Sequence, residues 1–274
     1  MSLFRIDRDQ CDKDAICAVE CPAGIIEMGP QGPKPGPGAT EFCIQCGHCV
    51  AICPKGAFSL DFLSPDQCMA VEKERLPDAG QVEHFLRSRR SVRRYKDRPV
   101  PRKDLEKALE IAGHAPSGSN RQPVKWLVMD KKEDVKQVAG LVIDWMRFMV
   151  REKPEIARPM NMAILARQWR QGVDRICRDA PCLVFAHAAN EVGSAPADCH
   201  IALSYLELAL PGFGLGSCWA GYVTYAAGFW PELKEMLSLP PDHTCHGAVM
   251  VGVPRFRYPR APKRNAPDIR FHGE

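Results

Sequence analysis

Two stretches of this chain are one pattern written twice. Cys11–Pro22 reads CDKDAICAVECP and Cys43–Pro54 reads CIQCGHCVAICP. A shift of 32 residues puts Cys11 on Cys43, Cys17 on Cys49, Cys21 on Cys53 and Pro22 on Pro54. The register fails at one position, where Asp14 stands opposite Cys46. Seven of the thirteen cysteines lie in these two stretches. The chain opens on the charged MSLFRIDRDQ, without an apolar leader, so thiols this dense point to a metal or redox cofactor in the cytoplasm rather than to disulfides in an exported protein.

The later copy has the spacing C-x2-C-x2-C-x3-C-P. Three cysteines of such a run wrap one corner of an iron–sulfur cube, and the fourth, set before proline, reaches across to the other cube. Crossing the fourth ligands gives one centre held by Cys43, Cys46, Cys49 and Cys21. The other is held by Cys11, Cys17 and Cys53, with Asp14 in the remaining place. Zinc sites pair two C-x2-C knuckles across a longer spacer, which is not the pattern here. From Ile6 to Leu60 the chain resembles the two-cluster ferredoxin domain, including CPAGII and CPKGAF after the fourth cysteines. A carboxylate is a harder and weaker ligand for iron than a thiolate. The resemblance therefore implies one [4Fe-4S] cluster and a second centre of one of two kinds. Either Asp14 ligates an exchangeable fourth iron of a [4Fe-4S] cluster, or that corner is open and the centre is [3Fe-4S]. A vestigial first centre ranks below both, because its other three ligands are intact.

The chain has 274 residues, 45% hydrophobic and 26% charged, enough for one large core or two unequal ones. Its net charge of +4 is too mild to demand nucleic acid, and no apolar run approaches the ~20 residues that span a bilayer. The Gly- and Pro-rich Gly29–Thr40 is loop, and the polar, proline-flanked text after Leu63 reads as a linker. The expected division is a cysteine-rich domain over 1–63, a linker over 64–80 and an α+β domain over 81–274. In the last, Leu105, Ala108, Leu109 and Ala112 mark one helix face. Val124–Asp130, Pro181–His187 and Ala248–Pro254 read as short buried strands. Ala197–Leu210 is an apolar helix, with further helical stretches over Glu133–Val150 and Glu155–Cys177.

The larger domain opens with SRRSVRRYKDRPV, Ser88–Val100. Guanidinium groups beside a serine can fork onto phosphate oxygens, although an isolated arginine run is more often a solvated strip. HAPSGSNRQPVKW (His114–Trp126) and GFGLGSCWAGY (Gly212–Tyr222) follow in order. Together the three segments resemble the nitroreductase family of FMN oxidoreductases from Val82 onward, and with the cysteine repeat in front the chain resembles the ferredoxin-fused branch. The resemblance implies an α+β sandwich, a central mixed sheet flanked by helices, in a homodimer with FMN at the subunit interface. It places Arg89, Arg90 and Ser91 at the phosphate and ribityl chain and Arg93 at the pyrimidine edge. Pro116, Ser117 and Asn120 would line the ring, and Gly214, Leu215 and Gly216 would bring bare backbone near N5. Arg260 and Arg264 resemble the late phosphate ligands. GFGLGS is not G-x-G-x-x-G and precedes a strand, so it is no dinucleotide fingerprint. Family members can bind nicotinamide directly over the flavin, but iron–sulfur supply is the more economical source of electrons.

DHTCHG (Asp242–Gly247) reads as the turn into the last strand rather than a metal site. Cys68, Cys177, Cys182, Cys199, Cys218 and Cys245 fit no ligand spacing and read as inert thiols, Cys218 alone lying near the expected flavin. The apolar residues of Trp145–Trp169 fit core or dimer interface better than a substrate roof.

The resulting expectation is an FMN oxidoreductase with a built-in relay. An external donor (ferredoxin, flavodoxin or similar) would reduce the clusters, and FMN would pass electron pairs to a small acceptor of nitro, quinone or enone type. Three alternatives stay open: reverse flow with clusters draining electrons to a carrier, a specialised reaction such as reductive dehalogenation or flavin fragmentation, and a non-catalytic electron-transfer subunit. Replacing Asp14 by cysteine is expected to yield a stable four-iron centre in the first loop. Iron counting with EPR on anaerobically purified protein checks this, and unchanged iron content and spectra would contradict it.

Overall fold

In the computed structural model, which describes residues 3–273, the chain divides into two compact units. The first is Met1–Pro77 with Ser119–Arg121, and the second is Asp78–Gly118 with Gln122–Glu274.

The first unit is built of very short elements: β1 (Phe4–Ile6), α1 (Ile16–Val19), β2 (Ile26–Gly29), β3 (Gly32–Pro35), α2 (Ala39–Phe42), α3 (His48–Ala51) and β4 (Phe58–Leu60). β1 pairs antiparallel with β4 and β2 with β3. Its small core holds Phe4, Ile25, Ile26, Val50, Phe58 and Leu60, with the Phe4 and Phe58 rings 4.5 Å apart. A core this size needs cross-linking from elsewhere to hold so many four-residue elements. The text after Leu63, read as linker, carries two 3-10 turns, Pro65–Gln67 and Lys73–Arg75.

The sequence repeat is also a backbone repeat. α1 and α3 begin 32 residues apart and have the same length. Positive φ recurs at the same offset: Lys13 (56°) with Gln45 (53°), Ala15 (63°) with Gly47 (74°), and Gly24 with Gly56 (62° each). Left-handed backbone costs a non-glycine residue about 1 kcal/mol or more, so three of these positions persist because the loop geometry demands them. Asp14 therefore sits in the same backbone mould as Cys46.

The second unit contains α4 (Ala79–Ser88), α5 (Arg102–Ala112), β5 (Lys125–Met129), α6 (Lys132–Glu152), α7 (Pro154–Ala157), α8 (Met162–Arg170), β6 (Cys182–Ala189), α9 (Ala195–Ala209), β7 (Gly216–Trp219), α10 (Gly221–Phe229), α11 (Pro231–Leu237) and β8 (His243–Gly252). The expected apolar face of α5 is buried at Leu105, Ala108 and Ala112. The stretch Glu155–Cys177 is not one helix. It breaks after Ala157 and again after Arg170, where the buried Asp174 accepts backbone N–H groups from Ile176 and Cys177 at 2.8 and 2.9 Å.

The four strands order β5-β6-β8-β7, and every neighbouring pair is antiparallel. This corrects the expected mixed sheet. Two helical passes separate β5 from β6 and two separate β7 from β8, so each pair returns reversed. A single helix, α9, crosses from β6 to β7, which makes those two parallel, but β8 inserts between them and hydrogen-bonds both. Both faces are covered. Leu183, Phe185, Ala248 and Met250 point into a core with α6, α8 and α10, while Cys182, Val184, Val249 and Val251 point into a second core with α5 and α9. Burial on both faces explains why β6 reads as an unbroken apolar run. Each fully buried large side chain here contributes about 1.5–3 kcal/mol. Trp145, Met146 and Met162 belong to the first of these cores.

The last strand starts at His243, five residues before the sequence pattern suggested, so DHTCHG is largely strand rather than turn. A bulge at Ala186/His187 brings the His187 and His243 rings together, Nδ1 to Nδ1, at 2.8 Å. Burial above all, with His243 and Lys125 adding, holds His187 below the usual imidazole value of 6.5, and burial together with His200 does the same to His246. The native state therefore resists protonation at sites the unfolded chain protonates freely, so stability falls as pH drops through the unfolded value. Urea midpoints compared at about pH 7.5 and 5.5 are expected to fall toward acid, and less steeply in His187→Gln.

Candidate metal centres and flavin site

Two small cavities in the first unit are lined by the eight expected ligands, sorted as the crossed arrangement requires. Cys21, Cys43, Cys46 and Cys49 line one, with Ile44, Gly47 and Leu60 around them. Cys11, Asp14, Cys17 and Cys53 line the other, with Ile16, Pro33 and Phe58. Burial pushes the Cys49 thiol up to about 12, with Cys46 and Cys21 adding to it. Burial likewise raises Cys17, with Asp14, Cys11 and Cys53 as charged neighbours. The last cysteine of each copy thus faces the other copy's triplet. Coordination to iron removes the proton from such a thiol and the burial penalty with it, and a cavity lined by three or four thiols suits an iron–sulfur centre. One Asp14 oxygen accepts the Ile16 backbone N–H at 3.2 Å, which holds the carboxylate over the start of α1.

In the second unit the motif segments are tied down by two carboxylates of α9. Val92 donates its backbone N–H to Ser217 of β7 at 2.8 Å, and Lys96 to Val253 at the end of β8. This lays the arginine segment alongside the GLGS segment. Gly216 is required there, because a Cβ would come within 2.4 Å of Val92 Cγ2. Glu207, nearly buried, accepts from Arg89 at 3.1 Å and from Trp219 Nε1 at 3.2 Å. About 13 Å back along α9, by the helical rise per residue, Asp198 is 3% exposed. It accepts the Gly118 backbone N–H at 3.0 Å and the Ser194 hydroxyl at 2.8 Å. Asp198 and Glu207 were missed in the sequence because each reads as a stray acid in an apolar helix. Their signal is that a carboxylate cannot be buried there without donors.

The remaining candidates separate clearly. Arg90 turns back onto the carbonyls of Ser88 and Arg87, and Ser91 is half-buried beside it. Arg93 is exposed. Among the described residues no acidic side chain pairs with Arg90 or Arg93, which leaves positive charge available to a phosphate or an electron-rich ring edge. Arg260 lines a surface cavity with Glu83, Arg87 and Ser88, just before Arg89, whereas Arg264 lies along the exposed tail away from it. Pro116 is exposed, and Ser117 accepts the Gln122 backbone N–H at 2.9 Å. Ser119, Asn120 and Gln122 all have positive φ (50°, 54° and 46°), an unusual run held by these bonds. Asn120 falls within the first unit, where its amide nitrogen meets the carbonyls of Ile44 and Gln45. Gly214 ends the turn at φ 67°, exposed, while the Leu215 side chain is core. The five late cysteines are buried, with Cys182 and Cys199 pushed up to about 12 by burial, as inert thiols should be.

The nitroreductase family model matches residues 86–253, more than half the chain. The chain belongs to the nitroreductase family. Ahead of that domain a 4Fe-4S dicluster domain model matches residues 3–54. An iodotyrosine deiodinase of Thermotoga neapolitana is 26% identical over 193 residues, covering 69% of this chain and 96% of that protein. Among solved structures, a BluB-like flavoprotein from Clostridium difficile 630 aligns with a TM-score of 0.55 at 20% identity, over 68% of this chain and 94% of its own. A nitroreductase with bound FMN from Bacteroides fragilis aligns at 0.52 and 21% identity, over 70% and 96%. At these identities the solved structures speak to the fold, which is the nitroreductase α+β fold.

The Arg89–Glu207 pair gives this nitroreductase domain a measurable link between its first motif segment and α9, which also holds Trp219 of the third. A double-mutant cycle with Arg89→Leu and Glu207→Leu is expected to return a coupling of about 1–3 kcal/mol in urea denaturation, with either single change costing more than the pair.

Proposed function

We propose that the chain is an iron–sulfur flavoprotein oxidoreductase that passes electrons from two ferredoxin-type centres to FMN and on to a small organic acceptor of nitro, quinone or enone type. One observation carries this reading: a chain of the nitroreductase family also holds two four-donor pockets, a supply line for single electrons joined to a domain whose relatives include an FMN-bound structure. The donor is an external low-potential carrier such as a ferredoxin or flavodoxin, and the setting is the cytoplasm. No helix among the described residues is long and apolar enough to cross a membrane.

Bound FMN supplies the chemistry, because it exchanges one electron at a time on one side and two on the other. The chain's residues supply position and field. Cys43, Cys46, Cys49 and Cys21 hold one [4Fe-4S] centre, and Cys11, Cys17, Cys53 and Asp14 hold the other, as [4Fe-4S] with an aspartate ligand or as [3Fe-4S]. Arg89, Arg90, Ser91 and Arg260 would bind the phosphate and ribityl chain, and Arg264 would join them if the exposed tail folded in. Glu207 takes one of the five guanidinium donors of Arg89, fixing the plane in which the rest point. Arg93 places a cation at the pyrimidine edge, where reduction concentrates negative charge. The Gly214–Gly216 backbone, free of bulky side chains except the inward Leu215, would lie along the ring, and Pro116 and Ser117 would line it. A homodimer completes the site. Support for it comes from α4, which buries none of its residues and leaves Val82, Phe85 and Leu86 exposed, and from exposed Tyr225 and Phe229 on α10.

Anaerobic reoxidation of the reduced holoprotein by a panel of nitroaromatic, quinone and enone acceptors tests the proposal. Rapid reoxidation by at least one class is expected. Uniformly slow reoxidation, with a protein that co-purifies, would point instead to an electron-transfer subunit.

A further inference from the structure

We propose that Asn120 is a positioning residue of the four-cysteine centre, its carboxamide clamping the ligand loop between Cys43 and Cys46 and raising that centre's reduction potential. The inference rests on the reading that these cysteines hold a cluster. Ser119–Arg121 groups with the first unit, and within it Asn120 Nδ2 lies 3.2 Å from the Ile44 carbonyl and 3.0 Å from that of Gln45. A primary amide has two N–H bonds, so these two consecutive acceptors take both of them. Ile44 lines the same cavity as Cys21, Cys43, Cys46 and Cys49. Gln45 and Asn120 are each in left-handed backbone, at φ 53° and 54°, which aims carbonyl and amide at one another at the expense of strain.

The two ligand loops share a backbone but not this clamp. The carbonyls equivalent to Ile44 and Gln45 belong to Asp12 and Lys13, and among the described residues no side chain donates to them. The two centres therefore differ in a hydrogen-bonding partner as well as in a ligand. Cluster potentials follow local charge and hydrogen bonding. An N–H pair that satisfies two carbonyl dipoles beside the cluster reduces the negative field there and favours the reduced state.

The test is a potentiometric EPR titration of the anaerobically purified full chain, as wild type, Asn120→Ala and Asn120→Asp, with iron counted on each. The midpoint of the four-cysteine centre is expected to fall in Asn120→Ala and to fall further in Asn120→Asp, where a carboxylate faces the two carbonyls. The signal of the Asp14 centre should not move. Selective loss of the four-cysteine signal in either variant would equally support the clamp. Identical midpoints and spectra in all three proteins at full iron would overturn it, and would place the role of Asn120 elsewhere. A wild type without a four-cysteine signal would instead remove the cluster reading on which the proposal stands.

Discussion

The second unit depends on a helix, α9, that carries two acids on its inward side. α9 crosses from β6 to β7 between the sheet and α5, and its apolar residues Leu203 and Leu206 are fully enclosed. A helix placed there for packing alone would carry no acids, because an ionised carboxylate without donors is expensive in such surroundings. Asp198 and Glu207 are tolerated because neighbouring groups supply the donors, most of them from the candidate flavin segments: Gly118 and Ser194 to one, Arg89 and Trp219 to the other. The burden is mutual. The carboxylates need those segments in place, and segments without regular secondary structure gain fixed positions from the most rigid element available. Surface loops are ordinarily the softest part of a fold. Here the candidate flavin loops are anchored from beneath.

Much of the rest was legible in the chain. The cysteine repeat and the odd aspartate are plain in the spacing, and the two candidate ligand sets expected from it line two separate cavities. Three of the four strands and α9 were visible as apolar runs, although β5 is only partly buried, and the nitroreductase domain through an ordered set of three segments. The strand directions were not, because they depend on how many helical passes lie between strands, and the break after Ala157 and the tightly bonded Asp174 turn hide inside what reads as continuous helix. The start of β8 was missed for a related reason: His243 and Thr244 look like turn residues until they pair with Ala189 and Ala188 of β6 across a bulge at His246.

Asn120 is placed by its hydrogen bonds as well as by its motif. It stands in a segment whose pattern directs attention to the flavin, and its neighbours Ser117 and Gly118 bond within the second unit. Ser119–Arg121 group with the first unit, and the amide nitrogen of Asn120 lies on the carbonyls of Ile44 and Gln45. Hydrogen-bond inventory, not sequence position, separates the parts of a motif that serve different neighbours.

The repeated backbone of the first unit has one more implication. Two loops that share helix length, helix start and the signs of three unusual φ angles respond alike to anything that acts on shape, such as temperature, pressure or a docking partner. What distinguishes them is carried by side chains: a carboxylate where the other has sulfur, and, among the described residues, two carbonyls without a side-chain donor where the other pair has an amide. A fold organised in this way can hold two centres at different energies without being two different folds. The gap between them can then be adjusted one side chain at a time, while the scaffold stays as it is.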